Sequence, residues 1–446
     1  MTLTEKYCDI FSSLLKNSDN GILSRHRMEA LGKFREIGIP THENENYKYS
    51  DFTKVLEGKY DFIQKQEKFN ADLNQYWQCS VPDMDTRVIL FSNGWFYKNN
   101  DVVTDLPEGL IICSLKEAAE KHAALFEKHY NRYISQNDGF AYMNTMFAND
   151  GVFIYVPENM HVKNTIQLVN LTHGFSERFV MQRNLIVMGN NSRMRLMICD
   201  HTLNKADNMV NNVTESFLGK QSSLEVYSIQ NEPDRSAVIK SLFFHQSTGS
   251  KLINLAFSLH GGMLRNNVSV TLAEENADTN LYGLFLNDRE QHVDNFTSVD
   301  HAAPGCTSNQ LYKGILDEDA HGAFQGKVLV RKDSQKTVAY QSNKNICLTP
   351  SAKMRTKPQL EIYADDVKCS HGATVGQLDD AALFYLRSRG IGTKEARLML
   401  MYAFAEDIVR QIPVLPLKEQ ISGLVNSRLR GEFSDCNHCL LNCSRH

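Results

Sequence analysis

The chain has 446 residues, 42% of them hydrophobic and 22% charged, which is ample for packed cores and a length that suggests about three domains. Its 48 basic and 52 acidic residues leave a net charge of −4, so nothing marks it as a binder of nucleic acid or of a membrane surface. The start lacks the basic segment and apolar core of a signal peptide, no apolar run approaches the ~20 residues of a membrane helix, and the ten cysteines therefore read as free thiols in a reducing cytoplasm.

Residues 1–60 read as helical. Ala30, Leu31, Phe34 and Ile37 recur at helical spacing, and Gly38 and Pro40 close the run. Val88-Ile89-Leu90-Phe91 and Trp95-Phe96-Tyr97 flank Asn93-Gly94, a hairpin signal because both turn residues tolerate positive φ. Ser114-Leu115-Lys116-Glu117 is a capping box that opens a helix running to about Tyr130.

From about 150 to 370 the character changes. Short β-rich runs recur at Val152–Val156, Thr165–Leu171, Asn184–Met188, Ser223–Ser228, Ala237–Phe244, Leu252–Leu259, Val268–Leu272 and Lys327–Val330. Turn residues separate them, among them Gly189-Asn190-Asn191, Gly219-Lys220, Thr248-Gly249 and Gly261-Gly262, and no long amphipathic helix intervenes. The pattern fits a β-sandwich and a β-solenoid equally.

The stretch from Glu361 to Gly392 joins this region to a helical one. Val367, Cys369 and His371 share one strand face by alternation, and Gly372 and Gly376 are expected to break the strand. Asp379 is placed to cap the next helix and Gly390 to end it. Helices are expected over 380–389, 394–411 and 417–430, the second capped by Thr393 and stopped by Pro413, with Leu398, Met401, Phe404, Ala405 and Ile408 as its apolar stripe.

Cys369 and His371, alternate residues on one strand, are spaced closely enough to share one metal, though two ligands need completion by a partner chain. The plain reading is a buried thiol beside a hydrogen-bonded histidine. A Cys-His nucleophile reading lacks an oxyanion element and an orienting group. Asp365 and Asp366, as adjacent strand residues, would point to opposite faces and not converge as an acid–base pair, and a solvated turn or strand edge is the better reading. The tail carries Cys436, Cys439 and Cys443 at C-x2-C-x3-C spacing with two histidines, which suits zinc or an iron–sulfur cluster, against a plain terminus with incidental thiols. No P-loop and no G-x-G-x-x-G occur, so the chain is expected to bind no nucleotide.

Tyr363-Ala-Asp-Asp-Val-Lys-Cys369-Ser-His371-Gly-Ala-Thr374, with Leu383-Phe-Tyr-Leu-Arg-Ser-Arg-Gly-Ile391, closely resembles the SufB/SufD family of iron–sulfur cluster assembly proteins, in the form of its SufD branch. Tyr47-Lys-Tyr-Ser-Asp51 and residues 141–157 are similar to the family's early segments. The resemblance implies a mainly β protein: a helical or mixed region over 1–140, a right-handed parallel β-helix over 141–376 and a helical domain over 377–432, with the cysteine-rich tail at 433–446. It implies a non-catalytic scaffold that pairs with a SufB-like subunit, or with a second copy of itself in isolation, and docks a SufC-like ABC ATPase. His371, with Cys369, would hold iron or an iron–sulfur cluster transiently at the SufB interface, and Tyr385, Arg387 and Arg389 would contact the ATPase. The rival classes are a β-solenoid carbohydrate-active enzyme, which needs convergent carboxylates on the solenoid face, and a structural metal-binding module built on the tail.

Overall fold

The computed structural model describes residues 1–15, 21–67, 81, 83–97, 106–174, 176–203 and 206–431. From Thr165 onward the chain deals its strands alternately to two sheets. Arg178–Met188, Met209–Leu218, Ala237–Gln246, Met263–Leu272, His292–His301, His321–Val330 and Lys353–Ile362 stack in parallel as the first. Thr165–Thr172, Arg193–Thr202, Ser223–Asn231, Lys251–His260, Asp278–Asn287, Thr307–Leu316, Thr337–Cys347 and Val367–Gly376 stack as the second. Alternate rather than consecutive strands pair, and they pair parallel, so the architecture is a β-solenoid of about seven turns and not a sandwich.

Because side chains alternate across a strand, in-register residues of successive turns form ladders that face the same way. Val180, Val210, Val238, Leu264 and Val293 make one such ladder, and Ile166, Leu196 and Val226 begin another inside the solenoid. Left-handed residues turn the corners, including Asn191 at φ 55° and Gly249 at φ 62°, within the predicted turn signals. The lumen is not wholly apolar. Lys240 pairs with Asp200 there, and Glu232 accepts a hydrogen bond from Thr202.

Helices cover both outer faces. Those at Leu3–Leu14, Ile22–Ile37 and Gly139–Phe147 pack Tyr7, Phe11, Phe34, Phe140 and Met143 against Phe179, Met181, Met209 and Ile239 of the first sheet. Thr393–Val409 and Leu415–Leu429 pack Leu398, Met401, Ala405, Ile408, Leu417 and Ile421 against Tyr227, Leu255, Phe257, Tyr282 and Leu284 of the second. The predicted apolar stripe therefore faces the solenoid.

A strap formed by residues 45–50 crosses four successive turns on the outside of the first sheet. Arg265 donates to Asn46 O at 2.7 Å and stacks over Tyr47, whose hydroxyl accepts from Asn267. Ser50 donates to Asp294, which also pairs with Arg265, both partners being fully buried. Gln325 donates to Glu45 O, and Lys357 of the last turn pairs with the Glu45 carboxylate at 2.6 Å.

The hairpin forms as expected, Thr86–Ser92 against Trp95–Tyr97, with Asn93 and Gly94 at φ 50° and 82°. Three local expectations are corrected. Gly372 does not break its strand, because the ladder to Thr337–Cys347 runs through it to Gly376. The helix opened by Ser114 ends at Lys121 and restarts at Ala123, since His122 leaves helical geometry. Thr393 is the first helical residue, and Gly392 is the cap.

Candidate functional site

The solenoid ends on two strand edges. Lys353–Ile362 and Val367–Gly376 are the outermost strands of their sheets, each ten residues long and paired on one side only among the described residues. Ile362, Tyr363 and Val375 stand exposed there. A long edge with free N–H and C=O groups is a template for another chain.

Register decides where the side chains of the last strand point. Cys369 lies over Ala339 and Ser308, and His371 lies over Gln341, Gln310 and Leu281, all of them buried lumen residues. Both candidates therefore share the lumen face, at its open mouth, but their surroundings differ. Cys369 is half-buried and packs with Val328, Val330, Ala339 and Leu360. Burial pushes its thiol pKa up, opposed by a hydrogen bond from the Ala339 backbone. His371 is exposed. One turn deeper, Thr297 and Gln341 both donate to Gln310 Oε1, at 2.7 and 3.2 Å, forming a buried polar ladder that sequence reasoning missed. No alternation announces it, since Gln310 lies between Asn309 and Leu311 and Gln341 between Tyr340 and Ser342.

Beside the mouth, Asp379 caps helix Asp380–Ser388 by accepting from the Ala381 and Ala382 amides at 2.9 and 3.1 Å, and Gly390 follows its end at φ 85°. This helix buries none of its residues. Phe384 and Tyr385 are exposed, and the Arg389 guanidinium lies 5.2 Å from the Tyr385 ring centroid, while Arg387 is exposed on the same helix. Cys436, Cys439 and Cys443 lie outside the described residues. Among the described residues no three His, Cys, Asp or Glu side chains gather into a metal-binding group. Within the same residues no helix is long and apolar enough to cross a membrane.

These features define a class: a β-solenoid sheathed by helices on its flanks, with a thiol and an imidazole at an end left uncapped among the described residues. Residues 170–404 match the family model described as SUF system FeS cluster assembly, SufBD core domain, and residues 1–168 match the SufBD protein N-terminal region. An iron–sulfur cluster assembly SufBD family protein of Synechocystis is 28% identical over 425 residues, 93% of each chain. The iron–sulfur cluster assembly protein SufD of Escherichia coli is 40% identical over 176 residues, 40% of this chain and 42% of that one. SufD of Bacillus subtilis is 25% identical over 335 residues, 72% of this chain and 75% of that one. The chain belongs to the SufBD family of iron–sulfur cluster assembly proteins.

Proposed function

We propose that the chain is a SufD-type scaffold subunit, cytoplasmic and without catalytic activity of its own, in a SufBCD-type complex. The observation that carries this reading is the pair of strand edges left unpaired among the described residues, with His371 exposed at the lumen mouth. A SufB-like solenoid would continue the sheets across those edges, and iron or a nascent cluster, as cargo, would be held between His371 and a ligand of that partner. A neutral imidazole is a good iron ligand. Cys369 is the weaker ligand candidate, because its thiol packs among aliphatic side chains and its thiolate is disfavoured. Helix Asp380–Ser388 would dock a SufC-like ATPase through Tyr385, Arg387 and Arg389, and that partner would supply the nucleotide chemistry. The division of the chain at residues 140, 376 and 432 follows the same reading.

The test is co-expression with SufB-like and SufC-like subunits. His371→Ala should leave the three-subunit complex intact on gel filtration and abolish cluster formation in cells. Clusters formed at the normal level by the variant would overturn the role of His371, and failure of the unmodified chain to co-purify with either subunit would overturn the scaffold role.

A further inference from the structure

We propose that Gln341 is a positioning residue for His371, holding the imidazole in its Nδ1–H tautomer so that Nε2 faces out of the solenoid mouth. The inference deepens the reading of His371 as an interfacial ligand and rests on it for its consequence, not for its geometry.

Four observations carry it. Gln341 and His371 are direct partners on adjacent parallel strands, about 4.8 Å apart across the ladder, and share the lumen face. The Gln341 amide is oriented from behind, because its Nε2 donates to Gln310 Oε1, which also accepts from Thr297. That leaves Gln341 Oε1, on a residue only 3% exposed, as an acceptor with no partner among the described residues. The facing sheet makes room for this amide with a glycine: a Cβ at Gly326 would stand 2.2 Å from Gln341 Nε2.

A buried acceptor left unpaired is costly, and the imidazole directly above it carries a donor and is exposed enough to turn. Rotation about χ1 and χ2 would set Nδ1–H against Gln341 Oε1. The chain of donors then runs from His371 to Gln341 to Gln310, and the lone pair sits on the outward Nε2. An acceptor on the second ring nitrogen is the usual device for setting the tautomer and aim of a ligating histidine.

The test is 15N NMR of the full chain with labelled histidine, at a pH where His371 is neutral, its signals assigned by their loss in His371→Gln. The wild-type ring should show the Nδ1–H form. Gln341→Leu should return it to the Nε2–H form favoured in water, and Gln341→Glu, which keeps an acceptor, should retain Nδ1–H. Should Gln341→Leu fold poorly, Gly326→Ala displaces the amide without removing it and should give the same return. An Nε2–H wild-type ring, or a tautomer indifferent to these variants, overturns the proposal. If the tautomer responds as expected while His371→Ala still builds clusters, the positioning role stands and the ligand role falls.

Discussion

Replacing Tyr385 with alanine tests the docking helix most directly. No residue of Asp380–Ser388 is buried, and Tyr385 is 56% exposed, so the substitution should change folding stability by no more than about 1 kcal/mol. If an ATPase subunit buries this ring with Phe384, itself 75% exposed, truncation should cost about 2 kcal/mol of binding or more, roughly 30-fold in Kd. Tyr385→Ala also removes the face on which Arg389 rests, an interaction worth about 0.5–1 kcal/mol when exposed. Isothermal titration calorimetry against the ATPase subunit, beside urea unfolding of each variant, separates the two quantities. Binding within threefold of wild type for the Phe384→Ala, Tyr385→Ala double variant would refute the assignment. Truncation after Gly376 is no substitute, since it would strip Thr393–Leu429 from Tyr227, Phe257 and Tyr282 and unsettle the solenoid itself.

Other consequences follow from burial. Cys369→Ser places a hydroxyl among Val328, Val330 and Leu360 and should lower stability by about 1–3 kcal/mol, whereas His371→Ala, at an exposed position, should stay within about 0.5 kcal/mol; the reverse order in urea unfolding would contradict their surroundings. Arg265→Met leaves Asp294 buried without a counter-charge and should cost about 3–5 kcal/mol, with most of it regained by adding Asp294→Leu; a double variant as unstable as the single one would show that the charges are not the cause. Glu232 is pushed up from 4.5 to about 7, chiefly by burial and next by the Asp200 charge. The folded chain then holds the Glu232 proton more tightly than the unfolded one, so this stabilisation is present below pH 4.5 and is lost as pH rises towards 7. Glu232→Gln should flatten that part of the stability–pH curve, and an unchanged slope would refute the assignment.

Several elements were plain in the sequence for local reasons. Asn93-Gly94 dictates its hairpin, Asp379 and Gly390 bracket their helix, and Leu398, Met401, Ala405 and Ile408 mark a buried stripe by spacing alone. The solenoid was half visible. Strands such as Val152–Val156 and Ala237–Gln246 announce themselves by apolar runs, but Met209–Leu218, Thr307–Leu316 and Thr337–Cys347 do not. Their lumen positions include Asn212, Gln310, Asn343 and Asn345, and some of these bond one another or the backbone inside the coil, as when Asn345 donates to Asn343 and Asn343 to Tyr312 O. Polar interiors of this kind erase the alternation on which strand prediction relies. Gly372 misled for a related reason: glycine weakens an isolated strand, but a rung held along its whole length by the one beneath it tolerates the residue. The face shared by Cys369 and His371 followed from period two, while their different surroundings depend on residues 30 and more positions earlier, Ala339 and Gln341 among them, and no local pattern reports those.

The strap at 45–50 makes the number of turns a fixed quantity. Stacked repeats ordinarily tolerate the gain or loss of a unit, because each touches only its neighbours. Here one short segment near the start of the chain grips Arg265, Asp294, Gln325 and Lys357 on four consecutive turns. An inserted or deleted coil anywhere between Met263 and Lys353 would shift those contacts by a full rung spacing, about 4.8 Å, beyond the reach of any of them. The segment works as a ruler laid along the coil, and in a chain made from its first residue onward the ruler exists before the thing it measures.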